Sequence, residues 1–238
     1  MNDLLLVLIL TFIAGITIPL GALIALIENI RPSWLENELR HSVLAFGGGA
    51  LFASIALVLI PEGIKNQSII FISIFFSLGG ICFMVLDRWL SKSKLKASNL
   101  IAMMSDFIPE AMALGAIFTT SRSKGILLSV LIAIQNLPEA FNAYREMQAS
   151  KKSVSSKKII FAFFLLAFLG PICGLLGYYY LSNYKDTISA IMLFSSGGIL
   201  YIVFQDIAPQ VKLKKAWGPP LGAIFGFLIG LIGHSLTL

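Results

Sequence analysis

Eight long apolar runs, separated by short polar breaks, most constrain what this chain can fold into. They lie at about residues 4–27, 42–61, 68–90, 99–119, 125–146, 159–181, 187–207 and 218–237. Several exceed the roughly 18 apolar residues that mark a membrane-spanning helix. Only 13% of the residues are charged, whereas a soluble domain carries about a quarter. We therefore predict an all-α integral membrane protein, with eight transmembrane helices in a single domain over residues 1–238.

The Lys and Arg residues divide unevenly between the two sides of the predicted membrane. The loops after the second, fourth and sixth spans carry four of them, and the loops on the other side carry fourteen. Basic residues are enriched in cytoplasmic loops. We therefore expect a multi-pass protein of the cell (inner or plasma) membrane with both termini outside. This placement also indicates that the net charge of +6 reflects topology and not nucleic-acid binding.

The second and seventh spans share a pattern although they cross the membrane in opposite directions. One contains Gly-Gly-Ala-Leu at residues 48–51 and ends near Pro61, and the other contains Gly-Gly-Ile-Leu at residues 197–200 and ends near Pro209. We interpret spans 1–3 and 6–8 as inverted repeats around a central helix pair, spans 4–5. Transporters commonly bind substrate where such repeats meet, near the midplane. Chance similarity between glycine-rich helices is the alternative.

The central pair of spans carries acidic residues deep in the predicted membrane. Asp106 precedes Pro-Glu-Ala at residues 109–111, and Gln135 precedes Pro-Glu-Ala at residues 138–140. In each span the polar residue and the glutamate are four positions apart, so they share one helix face. Because an ionised carboxylate at this depth costs several kcal/mol, either some of the acids are protonated or a cation is present.

Two prolines support the interpretation that a cation binds here. Proline has no backbone N–H, so the carbonyl group four residues earlier lacks its helical hydrogen-bond donor. Pro109 and Pro138 thereby free backbone oxygens that can line a polar cavity. Two kinked helices joined by simple hydrogen bonds are the alternative, and for Asn136 alone this alternative is equally consistent with the sequence. The candidate metal ligands are Asp106, Glu110, Gln135, Asn136 and Glu139.

These features together resemble the ZIP (Zrt/Irt-like) family of divalent-metal transporters, especially its bacterial branch. Family members have eight spans with both termini outside, and Pro-Glu motifs in the fourth and fifth spans contribute to a metal site. Pro109-Glu110 and Pro138-Glu139 match those motifs. The resemblance implies a metal transporter and not an enzyme, with zinc, iron or manganese as the transported substrate and no tightly bound cofactor. It also implies that two copies can pair as a homodimer in the lipid bilayer.

The chain departs from the family pattern at three positions. Asp106 replaces the usual histidine, Phe107 replaces the asparagine after it, and Gly170 replaces a glutamate in the sixth span. A second metal site would therefore lose ligands, and the remaining site is all oxygen. Oxygen ligands favour harder ions such as manganese or ferrous iron, although zinc is the family default. The alternative function is a transport-inactive relative that acts as a metal sensor or a structural partner.

Other polar and glycine positions have weaker interpretations. Glu62 and Asp206 lie near the ends of the second and seventh spans, where they either attract cations or are ordinary solvated residues. An intramembrane hydrolase is disfavoured, because neither a His-Glu-x-x-His motif nor a serine nucleophile motif is present. Close helix packing is the expected role of a small-residue stripe in the last span, formed by Gly222, Gly226 and Gly230.

Overall fold

The computed structural model describes residues 3–28, 33–92, 97–148, 155–211 and 217–237. Within these ranges, eight helices are long and apolar enough to cross a membrane, as the sequence predicts. They are α1 (Asp3–Ile27), α2 (Glu38–Gly63), α3 (Ile69–Lys92), α4 (Ser98–Phe118), α5 (Arg122–Gln148), α6 (Ser156–Asn183), α7 (Lys185–Gln210) and α8 (Gly218–Ser235). The helical backbone of α2 already begins at Ser33, ahead of the predicted boundary at residue 42. Hydropathy marks the apolar centre of a helix and misses its polar first turns.

Two helices contain a π-helical turn at corresponding places. In α2 it spans Ile55–Leu59, and in α7 it spans Val203–Ile207. Each turn lies just before a proline, Pro61 in α2 and Pro209 in α7. Because proline has no backbone N–H, it interrupts the regular hydrogen-bond ladder, and single π-turns often occur at such irregular positions in helices.

Proline also divides α6 into two segments. The segments are Ser156–Ala167 and Leu169–Tyr179, with a break at Phe168. Pro171 cannot donate to the carbonyl oxygen of Ala167. Gly15 of α1 packs directly against this carbonyl group, and any larger side chain would collide with it. The backbone of α6 therefore lies in close contact with α1 at this break.

The helices associate in two sets. α1, α4, α5 and α6 pack against one another, whereas α2 pairs with α8 and α3 pairs with α7. The two sets meet where α2 contacts α5 and where α4 contacts α7. Fully buried side chains at this centre include Leu59, Phe107 and Leu131. α3 and α8 are mostly exposed apolar surface, as expected for helices at the lipid boundary.

The α3–α7 pair is held by reciprocal backbone contacts at glycine. Gly79 packs on the carbonyl oxygen of Phe194, and Gly197 packs on that of Phe76. Neither position has room for a Cβ atom. Small residues let two membrane helices approach closely and gain van der Waals contact, so these glycines determine the distance between α3 and α7.

The α2–α8 pair repeats this arrangement. Gly49 packs on the carbonyl oxygen of Ala223, and Gly226 packs on that of Phe46. The same kind of reciprocal contact therefore joins α2 to α8 and α3 to α7. The small-residue stripe of the last span faces α2 as expected, at Gly222, Gly226 and Gly230.

Candidate metal centre

Three helices meet at the carboxylate of Glu110. Its Oε2 accepts a hydrogen bond from the amide Nε2 of Gln135, which joins α4 to α5. Its Oε1 lies 3.2 Å from the hydroxyl oxygen of Ser54 in α2. All three side chains are fully buried. The polar positions that the sequence places on facing sides of α4 and α5 are therefore in contact.

Ser54 is a participant that the sequence interpretation missed. Its hydroxyl oxygen lies 2.8 Å from the carbonyl oxygen of Leu51 as well as 3.2 Å from Glu110. A serine hydroxyl has one proton to donate, so these two acceptors compete for it. Ser54 immediately precedes the π-helical turn of α2. The sequence shows Ser54 as a polar residue within an otherwise apolar run, but it does not show which helix the serine faces.

Asp106 and Glu139 line one small cavity beside this cluster. The cavity has a volume of about 40 Å³, enough for a few water molecules. Asp106 is 2% exposed. Its Oδ1 and both carboxylate oxygens of Glu139 are buried with no hydrogen-bond donor in the described part of the chain. The two carboxylates therefore offer unused lone pairs to a shared space.

Buried acceptor oxygens outnumber donors throughout this region. Buried polar groups are nearly always paired in native proteins, and an unpaired buried charge is costly. A cation or bound protons would satisfy such a cluster. On α4 and α5, the buried side-chain oxygens without a donor among the described residues are Asp106 Oδ1, Gln135 Oε1, Asn136 Oδ1, Glu139 Oε1 and Glu139 Oε2.

The arrangement is not a closed ligand shell. Among the described residues, no group of three or more His, Cys, Asp or Glu side chains lies close enough to hold one metal ion. A metal bound here would need the amide oxygen of Gln135 or a movement of α4 relative to α5. The geometry therefore brings the candidate ligands into one region without assembling a finished site.

Asn136 points to a different neighbour from the other candidate ligands. Its amide Nδ2 donates to the carbonyl oxygen of Ala14 in α1, at 3.0 Å. Asn136 and Gln135 are adjacent in sequence and so lie about 100° apart around the helix. The structure thus joins Gln135 to Glu110 and Asn136 to α1.

The cavity beside Asp106 and Glu139 extends toward the side of the basic loops. Asn99 lies at the start of α4, and Asp206 and Gln210 lie at the end of α7. These helix ends belong to the side that carries most of the Lys and Arg residues. Polar side chains at these helix ends and the buried carboxylates thus line the same small cavity.

A second cavity lies on the opposite side and reaches none of the candidate ligands. The buried side chains of Ile117 and Met192 are among those that line it. Ile117 is seven residues from Glu110, or about 10 Å along the helix. The carboxylates are therefore closed off from this side by apolar packing.

Glu62 lies in the second cavity as an ion-pair partner. Its carboxylate is 2.6 Å from the amine nitrogen of Lys65 and 2.6 Å from that of Lys124. The Glu62 side chain is only 8% exposed. Its charge is therefore matched by two lysines, which opposes a role in attracting metal cations.

Comparison with known proteins identifies a family for the part of the chain that carries the candidate metal ligands. The family model of the ZIP zinc transporter matches residues 90–237, which is well over half of the chain and includes all of α4 and α5. No curated protein gives a significant match to the chain. With eight membrane-spanning helices and this match, the chain belongs to the ZIP zinc transporter family.

Proposed function

We propose that this ZIP protein carries a divalent metal cation into the cytoplasm through a site between α4 and α5. Glu110 and Glu139 are the main ligands in this proposal, and Asp106 and Gln135 complete the shell. The cluster of buried oxygens without donors supports it most directly. Such a cluster contributes little to the stability of helix packing, but it suits a cation that binds reversibly.

The ligand types bear on which ion is carried. Carboxylate and amide oxygens favour manganese and ferrous iron more than an imidazole-containing site does. The two histidines, His41 and His234, lie near opposite ends of their helices, far from the carboxylates in sequence and depth. We propose that manganese and iron compete with zinc in this protein more effectively than they would at a histidine-containing site.

The two cavities support a route for the ion in this proposal. The carboxylates communicate with the basic side through the cavity that Asp206 lines, whereas apolar packing closes the other side. By the distribution of basic residues, the open side is cytoplasmic in our proposal, and both termini lie outside a cell membrane. The conformation then corresponds to the inward-open state of an alternating-access cycle.

The packing of the helices suggests which parts move. Asp106, Glu110 and Glu139 all belong to the set formed by α1, α4, α5 and α6. The pairs α2–α8 and α3–α7 flank this set and are each fixed by reciprocal glycine contacts. Movement of the first set against the two pairs would expose the site to either side. The occurrence of reciprocal glycine contacts in both pairs supports our interpretation of spans 1–3 and 6–8 as inverted repeats.

Metal uptake into proteoliposomes tests the proposal. Wild-type protein is expected to show saturable uptake of at least one of manganese, iron and zinc. Glu110→Gln and Glu139→Gln keep the side-chain volume but remove the charge, and each is expected to lower the initial rate more than tenfold, about 1.4 kcal/mol. Asp186→Asn is the matched control. Asp186 lies at the start of α7, on the side opposite to the basic loops, where its carboxylate accepts a hydrogen bond from Gln67.

Two results would contradict the proposal. Unchanged uptake in both glutamine variants would place the ion pathway elsewhere in the protein. No uptake of any of the three ions by folded, inserted wild-type protein would favour the transport-inactive alternative, a metal sensor or structural partner.

A further inference from the structure

A methionine lines the small cavity that Asp106 and Glu139 share. This residue, Met103, lies in the second turn of α4, and it is 2% exposed. Other apolar side chains of the lining, such as Leu44 and Ile202, carry no atom that can bind a cation. Methionine carries a polarisable thioether sulfur, which is a ligand for soft metal ions. The cavity with the unpaired carboxylate oxygens is therefore also lined by a sulfur-bearing side chain.

Met103 lies on the face of α4 that carries the candidate ligands. It precedes Asp106 by three residues and Glu110 by seven, and these spacings return to the same side of an α-helix. Asn99, four residues before Met103, lines the same cavity. From the centre of the membrane toward the basic side, this face presents two carboxylates, a thioether and an amide. A cation that leaves Glu110 along α4 would therefore pass Asp106 and then Met103.

Packing alone does not require methionine at this position. Met103 belongs to the buried core, where leucine usually replaces methionine at little cost because the two side chains have similar volumes. The next residue, Met104, is turned by about 100° around the helix. Met104 packs against the same core but is not among the described residues that line the cavity. The two adjacent methionines therefore separate a role in packing from a role in the cavity.

A thioether would add a different kind of ligand to the proposed metal site. The proposed shell of Asp106, Glu110, Gln135 and Glu139 supplies only oxygen. Among the described residues, no three His, Cys, Asp or Glu side chains lie close enough together to hold one ion. A ligand from outside these four residue types would therefore help to complete the coordination of an ion in the cavity.

We propose that Met103 determines part of the ion specificity of this protein, by binding the transported cation through its sulfur beside Asp106 and Glu139. Sulfur ligands favour zinc over hard ions such as manganese and magnesium. The thioether thus offsets part of the preference for hard ions that oxygen ligands alone would give. This inference rests on the proposed transport site between α4 and α5, and it adds to that site a residue that selects among divalent ions.

Competition between cadmium and manganese for the purified protein tests this role. Both ions are divalent, but cadmium is the softer ion and binds sulfur more strongly. Met103→Leu removes the sulfur and keeps the volume. It is expected to lower the affinity for cadmium about tenfold, while the affinity for manganese changes less than about twofold. Glu139→Gln is expected to weaken the binding of both ions, because it removes a carboxylate that hard and soft ions share.

X-ray absorption at the cadmium edge identifies the atoms that bind the ion. The measurement uses protein with Cys82→Ala and Cys173→Ala, which removes both thiols of the chain. Cadmium bound to this protein is expected to show a sulfur neighbour together with oxygen neighbours. Addition of Met103→Leu is expected to leave oxygen neighbours only. A methionine that merely packs would give no sulfur neighbour in either protein.

Met104→Leu is the matched control, because it makes the same substitution one residue along the helix. It is expected to keep the wild-type affinities and the sulfur neighbour. Cadmium with oxygen neighbours only before Met103 is replaced, or an unchanged ratio of cadmium to manganese affinity in Met103→Leu, would overturn the role of Met103 and leave the transport site standing. Unchanged binding of both ions in Glu139→Gln would instead contradict the transport site itself, and the role of Met103 with it.

Discussion

The amide group of Gln135 in α5 donates a hydrogen bond to the carboxylate of Glu110 in α4, and both side chains are fully buried. This bond joins the two halves of the candidate metal centre. It holds the Glu110 carboxylate in position, and it leaves Oε1 of the Gln135 amide without a partner among the described residues. Gln135 thus both orients a ligand and carries an unused ligand atom.

Replacement of Gln135 by leucine is expected to weaken metal binding. The variant removes the donor to Glu110 and an amide oxygen, and a hydrogen bond to a charged group contributes about 1.5–3 kcal/mol. The apparent KM for metal uptake should rise at least about tenfold. Ser54→Ala should change KM by less, because the nearer acceptor of that hydroxyl is the carbonyl oxygen of Leu51. An effect of Ser54→Ala as large as that of Gln135→Leu would contradict this ranking.

Introduction of a histidine at position 106 is expected to change ion preference. Asp106→His adds an imidazole, a ligand better suited to zinc than to manganese. The ratio of zinc to manganese uptake should rise about tenfold or more, about 1.4 kcal/mol in relative affinity, measured in competition with both ions present. Asp106→Asn removes the charge without adding an imidazole, so it should lower uptake without favouring zinc. A histidine variant with the wild-type ratio would show that position 106 does not contact the ion.

Two adjacent glycines in α3 should differ sharply in their tolerance of alanine. Gly79 packs on the Phe194 carbonyl, so a methyl group there must separate α3 from α7. Overpacking of this kind costs about 1–3 kcal/mol. At Gly80 a methyl group would lie 3.5 Å from the Gly197 carbonyl oxygen, an ordinary contact. Thermal unfolding in detergent should therefore show a lower Tm for Gly79→Ala and an unchanged or higher Tm for Gly80→Ala; equal values would refute the close-approach argument.

The ion pairs that Lys65 and Lys124 form with Glu62 should contribute unequally to the stability of the protein. The Lys124 side chain is 21% exposed, whereas that of Lys65 is 57% exposed. Solvent screens the exposed pair, which is expected to contribute less than about 1 kcal/mol. Lys124→Gln should therefore lower the Tm measurably, and Lys65→Gln should leave it close to wild type. Neither variant should change the KM for metal, because apolar packing separates Glu62 from the carboxylates.

Hydropathy was sufficient to predict the eight spans, because the bilayer requires a long apolar helix for each crossing. The pairing of Gln135 with Glu110 was likewise accessible, since equal spacing in two adjacent spans placed both on facing surfaces. Contacts that depend on how a third helix is rotated about its own axis could not be predicted from the sequence. Ser54 is one example, because the sequence of α2 does not show which of its faces meets α4. Asn136 is another, since only the packing of α1 shows where its amide points.

The reciprocal glycine contacts were only partly predictable. The stripe in α8 was recognisable from its spacing, whereas Gly79 and Gly197 lie on helices that are far apart in sequence. Their meeting follows from how α3 and α7 cross, which no local pattern specifies. The ion pair between Glu62 and Lys124 was missed for the same reason, because Lys124 comes from the start of α5, after two further spans.

The π-helical turns of α2 and α7 have a consequence for the register of these helices. A single extra residue in one turn rotates everything beyond it by about 100° relative to an ideal helix. A helical wheel drawn through α2 or α7 would therefore misassign the faces of Glu62 and of residues from Asp206 onward. One inserted or deleted residue near position 57 or 205 would turn the rest of the helix by about 100° and present a different face to its neighbours, while leaving its length and hydropathy almost unchanged.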